Sequence, residues 1–120
     1  MTKVLVVEDN ALNMELVCDI LDAKGFSTER AVDGAEAIKK AEKVIFDLII
    51  MDIALPDMDG IEVTKIIKTN PAYKNVPVIA LTAYALKGDR EKFLEAGFND
   101  YVPKPLDVSE FMKIIEKYKG

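Results

Sequence analysis

The 120-residue sequence contains no histidine and no tryptophan, and it has a single cysteine, Cys18. The absence of histidine excludes catalysis by an imidazole base and excludes zinc sites that contain histidine. One cysteine cannot form a disulfide within the chain. Cys18 falls among apolar residues in a helical pattern, so we expect a packed thiol rather than a reactive one. These features fit the reducing cytoplasm, where we expect the protein to act.

Long apolar runs are also missing. No stretch approaches the roughly 18 continuous apolar residues of a membrane span, and Glu8 and Asp9 interrupt the place where the apolar segment of a signal peptide would lie. The formal net charge of -5 argues against nucleic acid as a partner, because binding to nucleic acid needs a basic surface. We therefore expect neither a membrane nor a nucleic-acid partner.

The sequence does contain short apolar runs that alternate with longer segments of helical periodicity. The strong runs cover residues 4–7, 48–51 and 78–81; residues 27–31 and 100–102 are weaker strands, and the more polar first of them is expected nearer an edge. This alternation predicts five βα units. We expect one α/β domain over residues 1–120, a doubly wound parallel sheet with helices on both faces in three layers.

Three of the predicted helices carry local detail. In the first helix we expect a single buried face, formed by Leu12, Leu16, Val17, Ile20 and Leu21. The fourth helix, predicted over residues 86–96, is more charged and is expected to be less deeply buried. The last helix is expected to begin at Asp107 or Ser109, because both residue types cap helix N-termini.

Polar residues follow the predicted strands at their carboxyl ends. Glu8 and Asp9 follow the first strand, Asp52 follows the third, Thr82 follows the fourth and Lys104 lies just beyond the fifth. Parallel strands place all five at one edge of the sheet, which is where doubly wound sheets bind their ligands. If the strand order is 2-1-3-4-5, the first and third strands are neighbours, and Asp9 approaches Asp52.

Three carboxylates at one site repel one another unless a cation lies between them. Oxygen ligands without histidine or cysteine favour Mg²⁺, with Mn²⁺ as an alternative, over Zn²⁺. A carboxylate beside such a metal can act as a nucleophile towards phosphorus, and Asp52 is our candidate. Lys104 would supply positive charge and Thr82 a hydroxyl donor for the phosphoryl oxygens.

Four segments carry a family resemblance: VLVVEDN, DLIIMDIALPDMDGIEV, ALTAYALKGD and GFNDYVPKP. In this order and spacing they resemble the receiver domain of two-component response regulators over essentially the whole chain. Their motifs look most similar to stand-alone cell-division regulators of the DivK kind and to receivers of hybrid sensor kinases. The resemblance implies the flavodoxin-like strand order 2-1-3-4-5.

The resemblance also implies roles at the site. Asp52 would accept a phosphoryl group from the phosphohistidine of a sensor histidine kinase or a histidine phosphotransfer protein. Asp9, Asp52 and the backbone carbonyl of Ala54 would hold Mg²⁺, with Glu8 acting through a bound water. Ala54 cannot orient an attacking water and Tyr84 would shield the site, so a fairly long-lived phosphoryl group is our hypothesis.

Further implications concern the output of the domain. Thr82 and Lys104 would contact the phosphoryl group, and Tyr101 would act with Thr82 as a switch by turning inward on activation. The Lys104–Pro105 bond would be cis, against the general preference for trans. A downstream protein would bind the face formed by the fourth helix, fifth strand and fifth helix, and the phosphoryl donor would dock near the first helix.

Two other functions stay open alongside this phosphorylation-controlled signalling switch. One is a Mg²⁺-dependent phosphohydrolase with an aspartyl-phosphate intermediate, of the haloacid-dehalogenase kind. Those enzymes usually carry a D-x-D motif, whereas the residue two positions after Asp52 is Ala54. The other is an adaptor of the same fold that works without phosphorylation. We expect no enzyme activity beyond participation in the domain's own phosphorylation and dephosphorylation.

Overall fold

The computed structural model of the chain describes residues 2–83 and 89–119. Strands and helices alternate in these ranges. They are β1 (Lys3–Val7), α1 (Ala11–Ala23), β2 (Ser27–Ala31), α2 (Gly34–Lys43), β3 (Leu48–Asp52), α3 (Gly60–Lys68), a 3₁₀ turn (Pro71–Tyr73), β4 (Val78–Thr82), α4 (Asp89–Glu95), β5 (Asp100–Pro103) and α5 (Val108–Glu116). Tyr84 and the predicted start of the fourth helix lie outside the described residues.

The five strands form one parallel sheet in the order β2-β1-β3-β4-β5. The prediction of a doubly wound sheet with this order is therefore confirmed. β1 and β3 are neighbours, with Val7 opposite Met51, and Asp52 at the end of β3 lies opposite Leu81 of β4. The polar strand β2 is at an edge, as expected from its composition.

Two apolar cores cover the two faces of the sheet. On one face, α1 and α5 pack against alternate strand residues such as Val4 and Ile50. On the other face, α2, α3 and α4 pack against the residues between them, such as Leu5 and Ile49. Strands β3 and β4 are buried along their whole length, which explains their continuous apolar runs. The three-layer α/β/α arrangement is thus confirmed.

The predicted buried face of α1 is partly wrong. Leu12 is 78% exposed and Leu16 is 38% exposed, although both were expected in the core. The buried stripe has the spacing i, i+3, i+4, i+7 and consists of Met14, Val17, Cys18 and Leu21. Leu12 and Leu16 lie beside this stripe rather than on it. The prediction that Cys18 is a packed thiol is confirmed, and burial raises its pKa above the ordinary value.

Two local predictions are confirmed at the end of the chain. Asp107 is the N-cap of α5, where its side chain accepts a hydrogen bond from the backbone N–H of Glu110. The Lys104–Pro105 peptide bond is cis. Among the helices of residues 2–83 and 89–119, none is long and apolar enough to cross a membrane.

Tyr73 is a buried polar group that sequence patterns did not single out. Its hydroxyl oxygen accepts a hydrogen bond from the backbone N–H of Phe46 at 3.2 Å. The same hydroxyl lies 2.9 Å from the carbonyl oxygen of Ala41 and 2.8 Å from that of Val44, to which it donates. Burial raises the pKa of Tyr73, so the hydroxyl stays protonated. This side chain ties the end of α2 to the turn before β4.

Replacing Tyr73 by Phe should lower the free energy of unfolding by about 1–3 kcal/mol, because it leaves buried backbone groups without a partner. Urea denaturation measures this loss. Thr28→Val is the matched control: it also removes a single hydroxyl, but the hydroxyl of Thr28 bonds to Asp22 at an exposed site where water can replace it. The control should change stability by less than about 0.5 kcal/mol. Equal losses in the two variants would contradict the assignment.

Candidate functional site

The carboxyl edge of the sheet collects most of the polar residues predicted for the site. Glu8 and Asp9 follow β1 directly, Asp52 is the last residue of β3, Thr82 is the last residue of β4, and Lys104 follows β5. Because all the strands are parallel, their carboxyl ends share one edge. The order of the strands places β1 beside β3 near the centre of the sheet.

Three carboxylates meet at this edge. Glu8, Asp9 and Asp52 each have a carboxylate oxygen within 4.8 Å of those of the other two. Glu8 and Asp52 are 1% and 2% exposed, whereas Asp9 is exposed to solvent. The predicted approach of Asp9 to Asp52 is therefore confirmed. Two of these three charges are almost fully removed from water, so they need a positive neighbour.

Lys104 provides that positive charge. Its Nζ lies 2.9 Å from Asp52 Oδ2, to which it donates a hydrogen bond, and 3.0 Å from Glu8 Oε2. Burial alone lowers the pKa of Lys104, but the hydrogen bonds and negative charges of Asp52 and Glu8 outweigh burial and raise the pKa above its ordinary value. Lys104 is therefore firmly protonated. Sequence reasoning placed it at the site, and the structure brings it into contact with both buried carboxylates.

The surroundings of Glu8 change its pKa. Burial raises its pKa, the hydrogen bond from Lys104 opposes this, and the negative charge of Asp52 raises the pKa further. The hydrogen bond from Lys104 Nζ goes to Glu8 Oε1 at 3.4 Å, whereas Oε2 lies 3.0 Å from the same ammonium group as an ion pair and accepts no hydrogen bond from the described residues. A buried oxygen of this kind has capacity left for a water or a cation.

Thr82 and Lys104 are tied together through the backbone. The N–H of Lys104 donates to the carbonyl oxygen of Thr82 at 2.8 Å, which continues the pairing of β4 with β5 to the site. Thr82 itself is 2% exposed. Tyr101 lies on β5 opposite Ala80, half-buried, with its ring centroid 6.2 Å from that of Phe93 on α4. Its role as a switch stays a prediction.

The connection from β3 to α3 shapes the rim of the site. Ala54 N–H donates to Asp52 Oδ1 at 3.1 Å, and Ala54 pairs with Asp59 in an isolated antiparallel bridge. Gly60 N–H donates to the carbonyl oxygen of Ile53 at 2.8 Å. A Cβ atom at Gly60 would lie 2.2 Å from the carbonyl oxygen of Asp52. Only glycine therefore lets α3 begin this close to the phosphoacceptor candidate.

Sequence reasoning missed two features near the site. Asp57 crosses from the β3–α3 connection to the start of α2, where its carboxylate oxygens accept hydrogen bonds from the backbone of Gly34 and Ala35. The contact joins segments more than twenty residues apart and follows no periodic pattern. The second feature is the exposed apolar side chain of Leu12, which an amphipathic pattern assigns to the core.

The donor set fits a hard divalent cation. Every side chain that converges here offers oxygen, apart from the ammonium group of Lys104. Mg²⁺ typically takes one or two protein carboxylates and keeps several waters, so an exposed Asp9 beside a buried Asp52 is a suitable arrangement. The acidic cluster of Glu8, Asp9 and Asp52 is thus present as expected, while the part of each residue in holding an ion stays a prediction.

A family model described as the response regulator receiver domain matches residues 4–116 of the chain. The chain belongs to this family. The resemblance inferred from the sequence motifs is therefore confirmed, and with it the assignment to two-component signalling. The receiver is 46% identical over 121 residues to the polar-differentiation response regulator DivK of Brucella ovis, an alignment that covers 100% of this chain and 98% of DivK.

Solved structures of other receivers agree with this assignment. The chemotaxis response regulator CheY4 of Vibrio cholerae superimposes with a TM-score of 0.93 at 31% identity, covering 98% of both chains. The receiver domain of the sensor histidine kinase PA1611 from Pseudomonas aeruginosa is 39% identical, with a TM-score of 0.87 and coverage of 98% of this chain and 96% of that one. That structure has a magnesium ion coordinated in its active-site cleft.

Replacing Gly60 by Ala should damage the metal site of this receiver, because the new methyl group must displace the backbone of Asp52. In the wild type, Mg²⁺ at one hundred times its dissociation constant should add about 2.7 kcal/mol to the free energy of unfolding. We expect Gly60→Ala to lose part of this gain, as measured by urea denaturation with Mg²⁺ and with a chelator.

The matched control for that experiment is Gly25→Ala. Gly25 has a φ of +89°, so alanine is strained there, but a Cβ atom meets nothing within 4 Å and Gly25 is at the opposite end of α1 from the site. This variant should lose stability while keeping the full gain from Mg²⁺. An undiminished gain in Gly60→Ala would show that the close approach to Asp52 does not matter for the metal.

Proposed function

We propose that this receiver domain accepts a phosphoryl group on Asp52 from the phosphohistidine of a partner, requires Mg²⁺ for this step, and signals through a changed protein-binding surface. The observation that carries the proposal is the convergence of Asp52, Asp9, Glu8 and Lys104 at the carboxyl edge of the sheet. Receiver domains act with histidine kinases, which supplies the class of donor. The chain as a whole, residues 1–120, is proposed to be this one domain.

Asp52 is the proposed acceptor because its carboxylate is held in a fixed orientation. Lys104 bonds to Oδ2, and the backbone N–H of Ala54 bonds to Oδ1. In the transfer, one carboxylate oxygen attacks phosphorus and the bond between phosphorus and the imidazole nitrogen breaks. The nitrogen keeps the electron pair and takes up a proton from solvent. The product is an acyl phosphate on Asp52 and a free histidine on the donor.

The other site residues would neutralise and orient the groups. Asp9, Asp52 and the backbone carbonyl of Ala54 would hold Mg²⁺, with Glu8 acting through a water. When bound, the ion would offset the negative charge that the carboxylates and the phosphoryl oxygens bring together. Lys104 is already within 3.0 Å of both buried carboxylates and would provide the second positive charge.

Thr82 is proposed to donate its hydroxyl to the phosphoryl group and to couple the site to Tyr101. Thr82 ends β4, and Tyr101 lies on the neighbouring strand β5. Beside Tyr101, a cavity of about 450 Å³ is lined by residues of α4, β5 and α5, among them Phe93 and Ile114. A half-buried aromatic ring beside a cavity can change its position at low cost. This face is the proposed docking surface for the downstream protein.

The donor is proposed to dock on α1. Leu12 is 78% exposed on the first turn of α1. The next residue, Asn13, lines a cavity of about 340 Å³ together with Val17, Pro105 and Lys104 itself, so the start of α1 adjoins the acceptor site. A phosphohistidine carried on a helix packed against α1 would approach Asp52 from this side.

Asp52→Asn should abolish phosphorylation. After incubation with Mg²⁺ and acetyl phosphate, intact-protein mass spectrometry should find one phosphoryl group on the wild type. The Asp52→Asn variant and a chelator-treated wild type should carry none. If the wild type stays unmodified, the measurement is repeated with a phosphorylated histidine phosphotransfer domain in place of acetyl phosphate. Failure with both donors would favour an adaptor that works without phosphorylation.

Leu12→Ala should separate docking from chemistry. With a purified phosphotransfer domain that phosphorylates the wild type, we expect the transfer rate at low donor concentration to fall about tenfold, a loss of about 1.4 kcal/mol. The rate with acetyl phosphate should stay unchanged, because the small donor needs no docking surface.

Ile45→Ala is the control for this experiment. Ile45 is another exposed apolar residue, 46% exposed, but it lies between α2 and β3 at the amino edge of the sheet. Its replacement should leave both rates unchanged. A loss of rate with acetyl phosphate in Leu12→Ala, or equal effects of the two variants with the protein donor, would contradict docking on α1.

A further inference from the structure

Asp57 makes a contact that none of the proposed site roles requires. It is exposed on the connection between β3 and α3, yet both of its carboxylate oxygens are engaged. Oδ1 accepts a hydrogen bond from the backbone N–H of Gly34 at 2.8 Å, and Oδ2 accepts one from the N–H of Ala35 at 3.0 Å. These bonds, that from Gly34 first, hold the pKa of Asp57 below its ordinary value, so the carboxylate is fully charged.

The two N–H groups belong to the first turn of α2, which already has a cap of its own. Asp33 is the N-cap and accepts from the N–H of Glu36 at 2.8 Å. The N–H groups of Gly34 and Ala35 have no acceptor within the helix. Ala35 is exposed, so water could replace its bond to Asp57, but Gly34 is buried, and Asp57 satisfies its N–H group. The same two bonds also fasten the segment that carries Asp57 to α2.

That segment contains Ala54, the proposed backbone ligand of the metal. Its base is closed by the Ala54–Asp59 bridge and by the hydrogen bond from Gly60 to Ile53. Its tip, residues 55–58, packs Leu55 and Met58 against the core and is bonded to another element through Asp57. The direction in which the backbone carbonyl of Ala54 points is set by the conformation of the backbone. It therefore depends on how firmly the whole segment is held.

The fit between the segment and α2 is close. A Cβ atom at Gly34 would lie 2.8 Å from Val63 Cγ2, 3.2 Å from Asp57 Oδ1 and 3.2 Å from Met58 Sδ. The start of α2 thus lies against both the tip of the segment and α3. A glycine at this position allows the backbone to come near enough for the bonds to Asp57.

We infer that Asp57 is a positioning residue that holds the 53–59 segment against the start of α2 and thereby orients Ala54 for the metal. The inference rests on the proposed function and deepens it. Asp57 touches neither the metal nor the phosphoryl group, so its loss acts through Mg²⁺ affinity. Removal of such an outer residue typically costs about tenfold or more in metal affinity.

The test compares Asp57→Ala, Asp57→Asn and Asp33→Ala. Isothermal titration calorimetry gives the dissociation constant for Mg²⁺, and acetyl phosphate turnover gives the Mg²⁺ concentration for half-maximal phosphorylation. In Asp57→Ala, both the dissociation constant and the half-maximal Mg²⁺ concentration should rise about tenfold. The phosphorylation rate at saturating Mg²⁺ should stay near that of the wild type. Asp57→Asn keeps one acceptor oxygen, so its affinity for Mg²⁺ should lie between those of the wild type and Asp57→Ala.

Asp33→Ala controls for the helix end and for charge. It removes a carboxylate from the same end of α2, but the hydrogen bond that this carboxylate accepts comes from Glu36 of α2 itself. It should lose stability in urea without weakening Mg²⁺ binding. The inference is overturned if Asp33→Ala and Asp57→Ala weaken Mg²⁺ binding equally. It is also overturned if Asp57→Asn binds Mg²⁺ as weakly as Asp57→Ala, because the loss of charge alone would then explain the effect.

Two further outcomes are separable. If Asp57→Ala is merely partly unfolded, the phosphorylation rate at saturating Mg²⁺ falls, but the Mg²⁺ concentration for half-maximal phosphorylation does not change. That result overturns the inference. If the wild type binds Mg²⁺ but forms no phosphoryl adduct, the proposed function fails while calorimetry still decides the role of Asp57.

Discussion

The neutralisation of Glu8 and Asp52 by Lys104 is the interaction on which the site depends. The fold buries two carboxylates on adjacent strands, and each would cost several kcal/mol if left unpaired. The lysine that balances them comes from the far end of the sequence, beyond the last strand. Formation of this site therefore requires the whole sheet to be assembled, from β1 through β3 and β4 to β5.

A hydrophobic set of residues at the same place would serve stability better than a buried cluster of charges. The cluster makes sense as a site that is tuned for charged ligands. Lys104 offsets only one of the negative charges that Glu8, Asp9 and Asp52 bring together, so the site keeps capacity for a cation. A divalent cation and a phosphoryl group bring positive and negative charge together, so the site can take both with little change in its net charge.

The parts of this arrangement that could be predicted from the sequence are those that follow from repetition and parallel geometry. Short apolar runs predicted the strands, and the family resemblance implied their order. The strand ends then placed Asp9, Asp52, Thr82 and Lys104 at one edge. Asp57 could not be found this way, because its bonds depend on how two separate connections pack together. Tyr73 was missed for the same reason, since its partners are backbone groups of another element.

The wrong prediction that Leu12 and Leu16 of α1 are buried has a different cause. An amphipathic pattern counts apolar residues, and α1 has more of them than one face can bury; only packing decides that Met14 and Cys18 go inside while Leu12 stays outside. Natural sequences depart from local consistency mainly where another requirement acts. Asn13, the residue after Leu12 on α1, lines a cavity together with Lys104. The proposed docking of the phosphoryl donor on α1 would be such a requirement, because the same helix supplies Asn13 and Val17 to the cavity that Lys104 lines.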